Sequence, residues 1–359
     1  MPVLTVGVEE EFLLVDPMGY LSLSGPEVVR AARDAEGDLQ LELARCQVES
    51  ATGICRSAGE LVGQLQKLRA RLAAEACRRG LRVLPTATPL LAETTPPEIS
   101  PTDRYRRMAA HFGAITSTGT TCGCHVHVGI PDRETAIAVS NHVRPWLPVL
   151  LALAANSPYN NGQDTRYCSW RHVLWSRWPS AGPPPIFASL DHYETVVTAM
   201  LRSEAMLDRG MIYWDIRLSE RQPTLECRVS DVAVTAEEAA LLGVLVRGLV
   251  GRALDSLGAP PPRPPQEVLR ANLWRAARDG LPGSCLHPVN GLLVPVDQQL
   301  TELVGHVRPA LAATHDDLEF VLDRLDRTRT AGGGAQRQRA AFAKRKHLGD
   351  VIEMLAVKC

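Results

Sequence analysis

The stretch "GVEEEFLLVD", Gly7 to Asp16, places three consecutive carboxylates inside an apolar run. β-Branched and aromatic residues alternate with polar ones there, which predicts a strand within 3–15. Side chains alternate along a strand, so Glu9 and Glu11 share one face about 7 Å apart and Glu10 points the other way. Two carboxylates side by side on a half-buried strand raise each other's pKa and cost stability. A positive partner between them is one reading of this pattern; a solvated strand face is the plainer one. Glu10 falls on the apolar side with Val8 and Phe12, and reads as structural, paired with a helix residue.

Other segments repeat the alternation. Strands are predicted at 45–51, 81–88, 121–130, 211–217 and 224–230. In "CGCHVHVGI" (122–130), His125, His127 and Gly129 oppose Cys124, Val126 and Val128. In "TLECRVSD" (224–231), Thr224, Glu226, Arg228 and Ser230 oppose Leu225, Cys227 and Val229. Tyr213, Asp215 and Arg217 share a face, as do Arg45, Gln47 and Glu49. A parallel sheet buried on both faces would need continuous apolar strands. These strands each have one polar and one apolar face, which predicts an α+β protein with a mostly antiparallel sheet, covered by helices on one side and open on the other.

Helices are predicted between the strands, at 103–118, 132–155 with a break at Pro145 and Pro148, 192–207, 265–278, 296–311 and 315–327. Ser57-Ala58-Gly59-Glu60 and Thr235-Ala236-Glu237-Glu238 read as capping boxes opening two more, over 61–79 and to about 254. The segment 258–265 reads as a proline-rich connection and 331–335 as a glycine-rich loop.

Bulk properties narrow the function. With 359 residues the chain can form a large core, and a formal charge of −1 gives no general reason to expect nucleic acid or an anionic membrane as partner. No basic or apolar leader precedes Gly7, and the apolar stretches 146–155 and 239–254 are too short or are interrupted by Arg247. Nine cysteines form no evident disulfide framework, so a reducing cytoplasm is expected.

The polar rows carry Glu9, Glu11, Glu49, His125 and Glu226 without one lysine. Carboxylate oxygens are the hard ligands that Mg²⁺ or Mn²⁺ prefers, and Mn²⁺ also tolerates histidine. Arg217 and Arg228 on the same face suit a phosphate or carboxylate. His125 and His127 read equally well as structural histidines. Cys122-Gly123-Cys124-His125 has the residue types of a zinc site, but on a regular strand its cysteines point away from the histidines. No GxxxxGK[ST] loop, GxGxxG turn or GxSxG elbow is present.

"GVEEEF", "CHVHVGIPD", "ANSPYNNGQDTRYCSWR", "WDIRLSERQPTLECRVSD" and "GAQRQRAAF" occur in this order along the chain. Together they resemble the bacterial carboxylate-amine ligase family, also called glutamate–cysteine ligase type 2, which is similar in fold to glutamine synthetase. The resemblance spans essentially the whole chain as one catalytic domain, residues 1–359. It implies a curved, largely antiparallel sheet, with helices on its convex face and with Mg²⁺ (or Mn²⁺), ATP and an amino acid on its concave face. By matching position it assigns Glu9, Glu11, Glu49, His125 and Glu226 to the metals and Arg228 to the phosphates.

The implied chemistry is phosphorylation of a carboxylate by ATP, followed by amine attack to give an amide, ADP and phosphate. Arg217 and Arg228, with Arg337 or Arg339, are the candidates for the transferring phosphoryl group. Arg166, Arg171 and His127 are those for substrate; surface solvation is the plain alternative for the four arginines outside the strands. The family pattern has small residues where Arg166, Cys168 and Trp170 stand, which puts cysteine as acceptor, and glutamate as donor, in question. A homodimer is expected from the resemblance. A metallohydrolase using His125, His127 and Glu226, and a silent nucleotide-binding homologue, stay open on the residues alone.

Overall fold

Seven strands hydrogen-bond into one sheet in which every pairing is antiparallel, in the order β2-β3-β1-β5-β9-β8 with β4 on β1. The computed structural model describes residues 3–32, 38–92, 98–117, 120–314 and 316–359. Two expected helix ends, at 118 and 315, lie outside these residues. The strands are β1 (Val6–Val15), β2 (Asp38–Leu41), β3 (Gln47–Ala51), β4 (Arg82–Leu84), β5 (Gly123–Gly129), β8 (Ile216–Leu218) and β9 (Thr224–Asp231). Short hairpins add β6 (Tyr159–Asn160) with β7 (Gln163–Asp164), and β10 (Ser284–Leu286) with β11 (Leu293–Pro295). The architecture is the α+β one expected, an antiparallel sheet with packed helices.

Helices Ala58–Arg78 and Ala236–Asp255 cover the apolar face of the sheet. Val6, Val8, Val126, Val128 and Leu225 join the core beneath the second of them. Both expected capping residues act as N-caps. Thr235 and Glu238 form the reciprocal box. Ser57 accepts from the Glu60 amide, but the Glu60 carboxylate accepts from Arg56 N–H (2.7 Å), one residue earlier than the box predicts.

Glu10 lies on the helix-covered side, completely buried. Arg69 of the Ala58–Arg78 helix donates Nε to Glu10 Oε2 (2.9 Å) and Nη2 to Oε1 (2.5 Å), and also donates to the carbonyls of Ala233 and Val234 (both 2.8 Å). The middle carboxylate of the triplet therefore ties strand, helix and the 233–234 turn together.

Several expectations need correction. The segment 211–217 is not one strand: Arg209–Met211 forms a 3₁₀ turn and only Ile216–Leu218 pairs with β9, because Trp214 turns inward against Phe187 and Tyr193. The glycine-rich 331–335 segment leads directly into a helix, Gly334–Arg345. The run 133–154 is helical throughout, long and apolar enough to cross a membrane, yet 89% of its most apolar window is buried inside the protein. Its break at Pro145 is a 3₁₀ turn, Arg144–Trp146, rather than an interruption. Cys77 and Cys359 form a disulfide with Cα atoms 6.2 Å apart, so not every cysteine is a free core residue; the other seven are free and buried.

Candidate active site

The uncovered face of the sheet floors a cavity of about 970 Å³. Register explains how its side chains meet. Glu11 lies opposite Glu49, and Glu49 opposite Gln40; Glu9 lies opposite His125, and His127 opposite Glu226, which in turn pairs with Arg217. The alternation predicted from the sequence therefore delivers Glu9, Glu11, Glu49, His125, His127, Glu226, Arg217 and Arg228 to one cavity.

One irregularity changes the rows. Between Cys124 and Val126 the register of β5 against β9 shifts, so His125 faces two residues, Arg228 and Val229. Beyond this bulge Ser230 pairs with Cys124, on the apolar side, and Asp231 takes the polar side instead. Asp231, fully buried, accepts from Asn156 N–H (2.8 Å), Ser157 Oγ (2.7 Å) and Ser169 Oγ (2.8 Å). It thereby anchors both ends of the 156–170 loop. The bulge does not turn the cysteines toward the histidines: Cys122 and Cys124 are fully buried in the apolar cores, which removes the zinc reading.

Two groups of potential metal ligands stand on this face. Glu11, Glu42 and Glu49 present carboxylate oxygens within 4.8 Å of one another, and so do ligand atoms of Glu9, His127 and Glu226. Glu42 was not anticipated, because the four-residue strand β2 that precedes it was not recognised; the alternation Leu39, Gln40, Leu41, Glu42 is the signal for it. His125 stands between the groups, with Nδ1 3.4 Å from Glu9 and Nε2 3.9 Å from Glu11. His127 Nδ1 lies 2.9 Å from Thr224 Oγ1, and its Nε2 is 3.3 Å from Glu9 Oε1 without hydrogen-bond geometry. Buried imidazole nitrogens without hydrogen bonds, beside clustered carboxylate oxygens, fit a hard divalent cation.

The electrostatics divide the carboxylates. Burial pushes Glu42 up to about 7, with Glu11 adding to the push. Burial and then Glu42, Glu9 and Glu11 hold Glu49 well above the carboxylate range. Burial likewise raises Glu11 against the pull of Arg171 and the Gly123 N–H, which donates to it at 2.6 Å. Glu226 goes the opposite way: burial works upward, but Arg217 and Arg228 outweigh it and hold the carboxyl well down. Glu9 also goes down: burial works upward, but the hydrogen bond with His125 and the neighbouring His127 imidazole outweigh it. Burial and Arg228 bring His125 down to about 4.

A pH dependence follows. A carboxyl whose folded pKa is raised retains its proton in the folded state after the unfolded chain has lost it, so stability falls as pH rises through that interval. His125 opposes this only up to about pH 6.5, its ordinary value, where the unfolded imidazole also becomes neutral. Above that pH the continuing ionisation of Glu42 and Glu49 lowers the stability of the metal-free protein. Thermal unfolding of EDTA-treated protein should show a midpoint falling between pH 6.5 and 8. Millimolar Mn²⁺ or Mg²⁺ should restore it at pH 8 and change it little at pH 5.5. A midpoint independent of cation at pH 8 would count against a metal site here.

The arginines separate. Arg217 is fully engaged: Nε and Nη2 donate to Glu226 (2.7 and 3.1 Å), and Nη1 to the carbonyls of Gly210 and Ile212. Arg228 donates to Glu226 Oε1, which also accepts from Arg217 Nη2, keeps Nε without a partner among the described residues, and lies 3.5 Å from His125. Arg171, outside the cavity lining, is buried beside it, with Nη2 so near Gly123 that a Cβ there would stand 2.4 Å from it, so a larger residue at 123 would displace this guanidinium. Arg166 is exposed, Arg337 pairs with Glu238 and Arg339 with Asp164, all outside the cavity lining. Between the last two, buried Gln338 donates to the main-chain and side-chain oxygens of Asn156 (2.9 and 2.8 Å). The C-terminal motif thus braces the 156–170 loop.

This geometry has relatives. The family described as Glutamate-cysteine ligase family 2 matches residues 5–355. The chain belongs to that family. It is 55% identical over 355 residues to a Rhodococcus jostii (strain RHA1) protein named "Putative glutamate–cysteine ligase 2-1", covering 98% of this chain and 95% of that one. A Saccharopolyspora erythraea protein of the same name is 47% identical, over 99% and 94%. Among solved structures, the glutamate–cysteine ligase of Francisella tularensis in complex with AMP superposes with a TM-score of 0.70 at 13% identity, over 98% of this chain and 87% of that one. A bifunctional glutathione synthetase from Pasteurella multocida gives 0.66 at 15% identity, over 98% and 52%. At such identities the two structures establish the fold. With the family established, the protein is a C–N bond-forming ligase.

Proposed function

We propose that this ligase is ATP- and Mg²⁺- or Mn²⁺-dependent and joins the carboxylate of an amino acid, the γ-carboxylate of glutamate, to an amine through an acyl phosphate. The supporting observation is the pair of three-ligand groups on one open sheet face with Arg228 beside them. Bound divalent cations would be held by Glu11, Glu42 and Glu49 and by Glu9, His127 and Glu226, and would neutralise triphosphate charge.

The chain's own residues then have distinct tasks. Arg228, with a donor to spare, stabilises charge on the transferring phosphoryl group. Arg217 acts through Glu226, holding it ionised and in place for its ligand role. The donor carboxylate oxygen attacks the γ-phosphorus and ADP leaves. The amine lone pair then attacks the acyl carbon, the C–O bond to phosphate breaks, and an amide and phosphate result. Arg171, against Glu11 and Arg228, is placed to orient the 123 end of β5 more than to meet bulk substrate.

A metallohydrolase needs a carboxylate free to act as base, and Glu226 already holds two guanidinium groups. The whole chain is read as one catalytic domain. A cytoplasmic location is read from cysteine usage, seven free cysteines to one disulfide. A homodimer rests on the exposed apolar tip formed by Val289, Leu292 and Leu293. The test of function is phosphate release from ATP with Mg²⁺ and glutamate across a panel of amines that includes cysteine. Amine-dependent release with a matching amide mass is expected; ATP turnover without any amide would overturn the reading.

A further inference from the structure

A roof closes part of the cavity. Helix Asp103–Phe112 reaches from β2, where Tyr105 Oη donates to the Leu41 carbonyl (3.4 Å), to the segment before β8, where Arg104 donates to both oxygens of Asp208 (2.9 and 3.1 Å). Beneath it stand three rings that line the cavity, Trp175, Trp178 and Tyr213. Their centroids are 4.7 Å apart for Trp175–Tyr213, 5.3 Å for Trp178–Tyr213 and 6.2 Å for Trp175–Trp178. The rings are set at an angle to one another; Trp178 and Tyr213 are buried and Trp175 is half-buried at the cavity lining.

The position and the charges of this wall restrict what occupies it. The Arg228 guanidinium carbon is 5.9 Å from the centroids of both Trp175 and Tyr213, so the wall begins where the phosphoryl-transfer arginine ends. Arg104 and Arg228 already have carboxylate partners in Asp208 and Glu226, and a third cation, Arg171, stands 5.7 Å from the Trp175 centroid and donates to the Arg228 carbonyl. A second ammonium at the far end of a ligand would meet those guanidinium groups, which disfavours diamines. Among the described residues the one carboxylate of the roof helix, Asp103, is paired with Arg106 and is not free to draw one in. The wall offers the half-buried indole of Trp175, set against Trp178 and Tyr213, and the Tyr213 hydroxyl, for which the described residues provide no hydrogen-bond partner.

We infer that Trp175, Trp178 and Tyr213 form the side-chain subsite of the amine acceptor, and that the acceptor carries a flat apolar substituent, as an arylalkylamine or an aromatic amino acid does. The inference rests on the ligase reading above and specifies its acceptor. The acceptor nitrogen attacks the acyl carbon with phosphate as leaving group, and the released proton passes to solvent.

Hydroxylamine separates the two levels of the test, because as a minimal nucleophile it captures an acyl phosphate without needing a side-chain subsite. Wild-type protein with ATP, Mg²⁺ and glutamate should yield a hydroxamate. Under the same conditions 2-phenylethylamine or phenylalanine should exceed methylamine and cysteine in kcat/KM by about tenfold or more, the scale at which apolar pockets discriminate. Preference within the aryl pair tells whether a carboxylate is read as well; either preference supports the subsite. Trp175→Ala should lower the ratio of aryl-amine to hydroxylamine kcat/KM about tenfold, mainly through KM, with Trp175→Phe recovering most of it. If the alanine variant fails to fold, quenching of wild-type tryptophan fluorescence by 2-phenylethylamine and not by methylamine carries the test. Hydroxamate formation with aryl amines no better than methylamine would overturn the subsite and leave the ligase reading intact. No hydroxamate from glutamate would remove the acyl-phosphate reading on which the subsite rests.

Discussion

Glu49→Gln should abolish cation-dependent turnover while making the metal-free protein more stable. Burial and three neighbouring carboxyls oppose the ionisation of Glu49, and among the described residues no cation forms a salt bridge with it. The amide removes that repulsion at little change in shape. At pH 8 without metal, the thermal midpoint should rise by a few degrees, on the order of 1 kcal/mol. Amide formation should fall about 100-fold or more, in the range seen when a group aimed at developing charge is lost. Glu226→Gln should lose activity similarly but move stability in the opposite direction. Glu226 neutralises Arg217 and Arg228, and removing one member of a buried ion pair costs about 3–5 kcal/mol. The two variants together separate ligand chemistry from structural charge balance. Equal destabilisation by both, measured by chemical denaturation, would show that the carboxylates at 42 and 49 are not in mutual conflict.

Glu10→Ala should be among the most damaging substitutions in the chain although it touches no ligand. It strips the carboxylate from Arg69, which is only 5% exposed and cannot reach water without opening the sheet–helix contact. Loss of about 3–5 kcal/mol is expected. The double variant Glu10→Leu with Arg69→Met should recover most of this stability, because an apolar pair of similar volume replaces a buried ion pair at little net cost. Denaturant midpoints of the three proteins check it. A double variant as unstable as the single one would mean that the bonds from Arg69 to the 233–234 carbonyls, not the ion pair, hold the strand to the helix.

Neighbouring positions in "EEE" thus have opposite fates, and this much was legible from alternation alone. Period-two patterning places Glu9 and Glu11 on one face and Glu10 on the other without knowledge of partners. The same rule gathered Glu49, His125, His127, Glu226, Arg217 and Arg228 onto that face, because a sheet buried on one side only permits a single register for each strand. The antiparallel α+β class followed from the same asymmetry. The sequence did not betray Glu42, since β2 is too short for its alternation to rise above chance. Nor did it reveal the bulge that exchanges Ser230 for Asp231, which depends on how two strands pair and not on either strand alone. The arginines were ambiguous for a related reason: a guanidinium group reads identically in sequence whether it awaits phosphate or is already bound. Only the tertiary structure gave Arg217 to Glu226, Arg337 to Glu238 and Arg339 to Asp164, leaving Arg228 with a donor to spare. The aromatic wall came from the same source. Trp175 and Trp178 follow the 156–170 loop, Tyr213 precedes β8, and folding alone brings them together beneath a helix that begins at Asp103. Local periodicity determines which face of an element is polar; long-range packing decides which of those polar groups remain free to act.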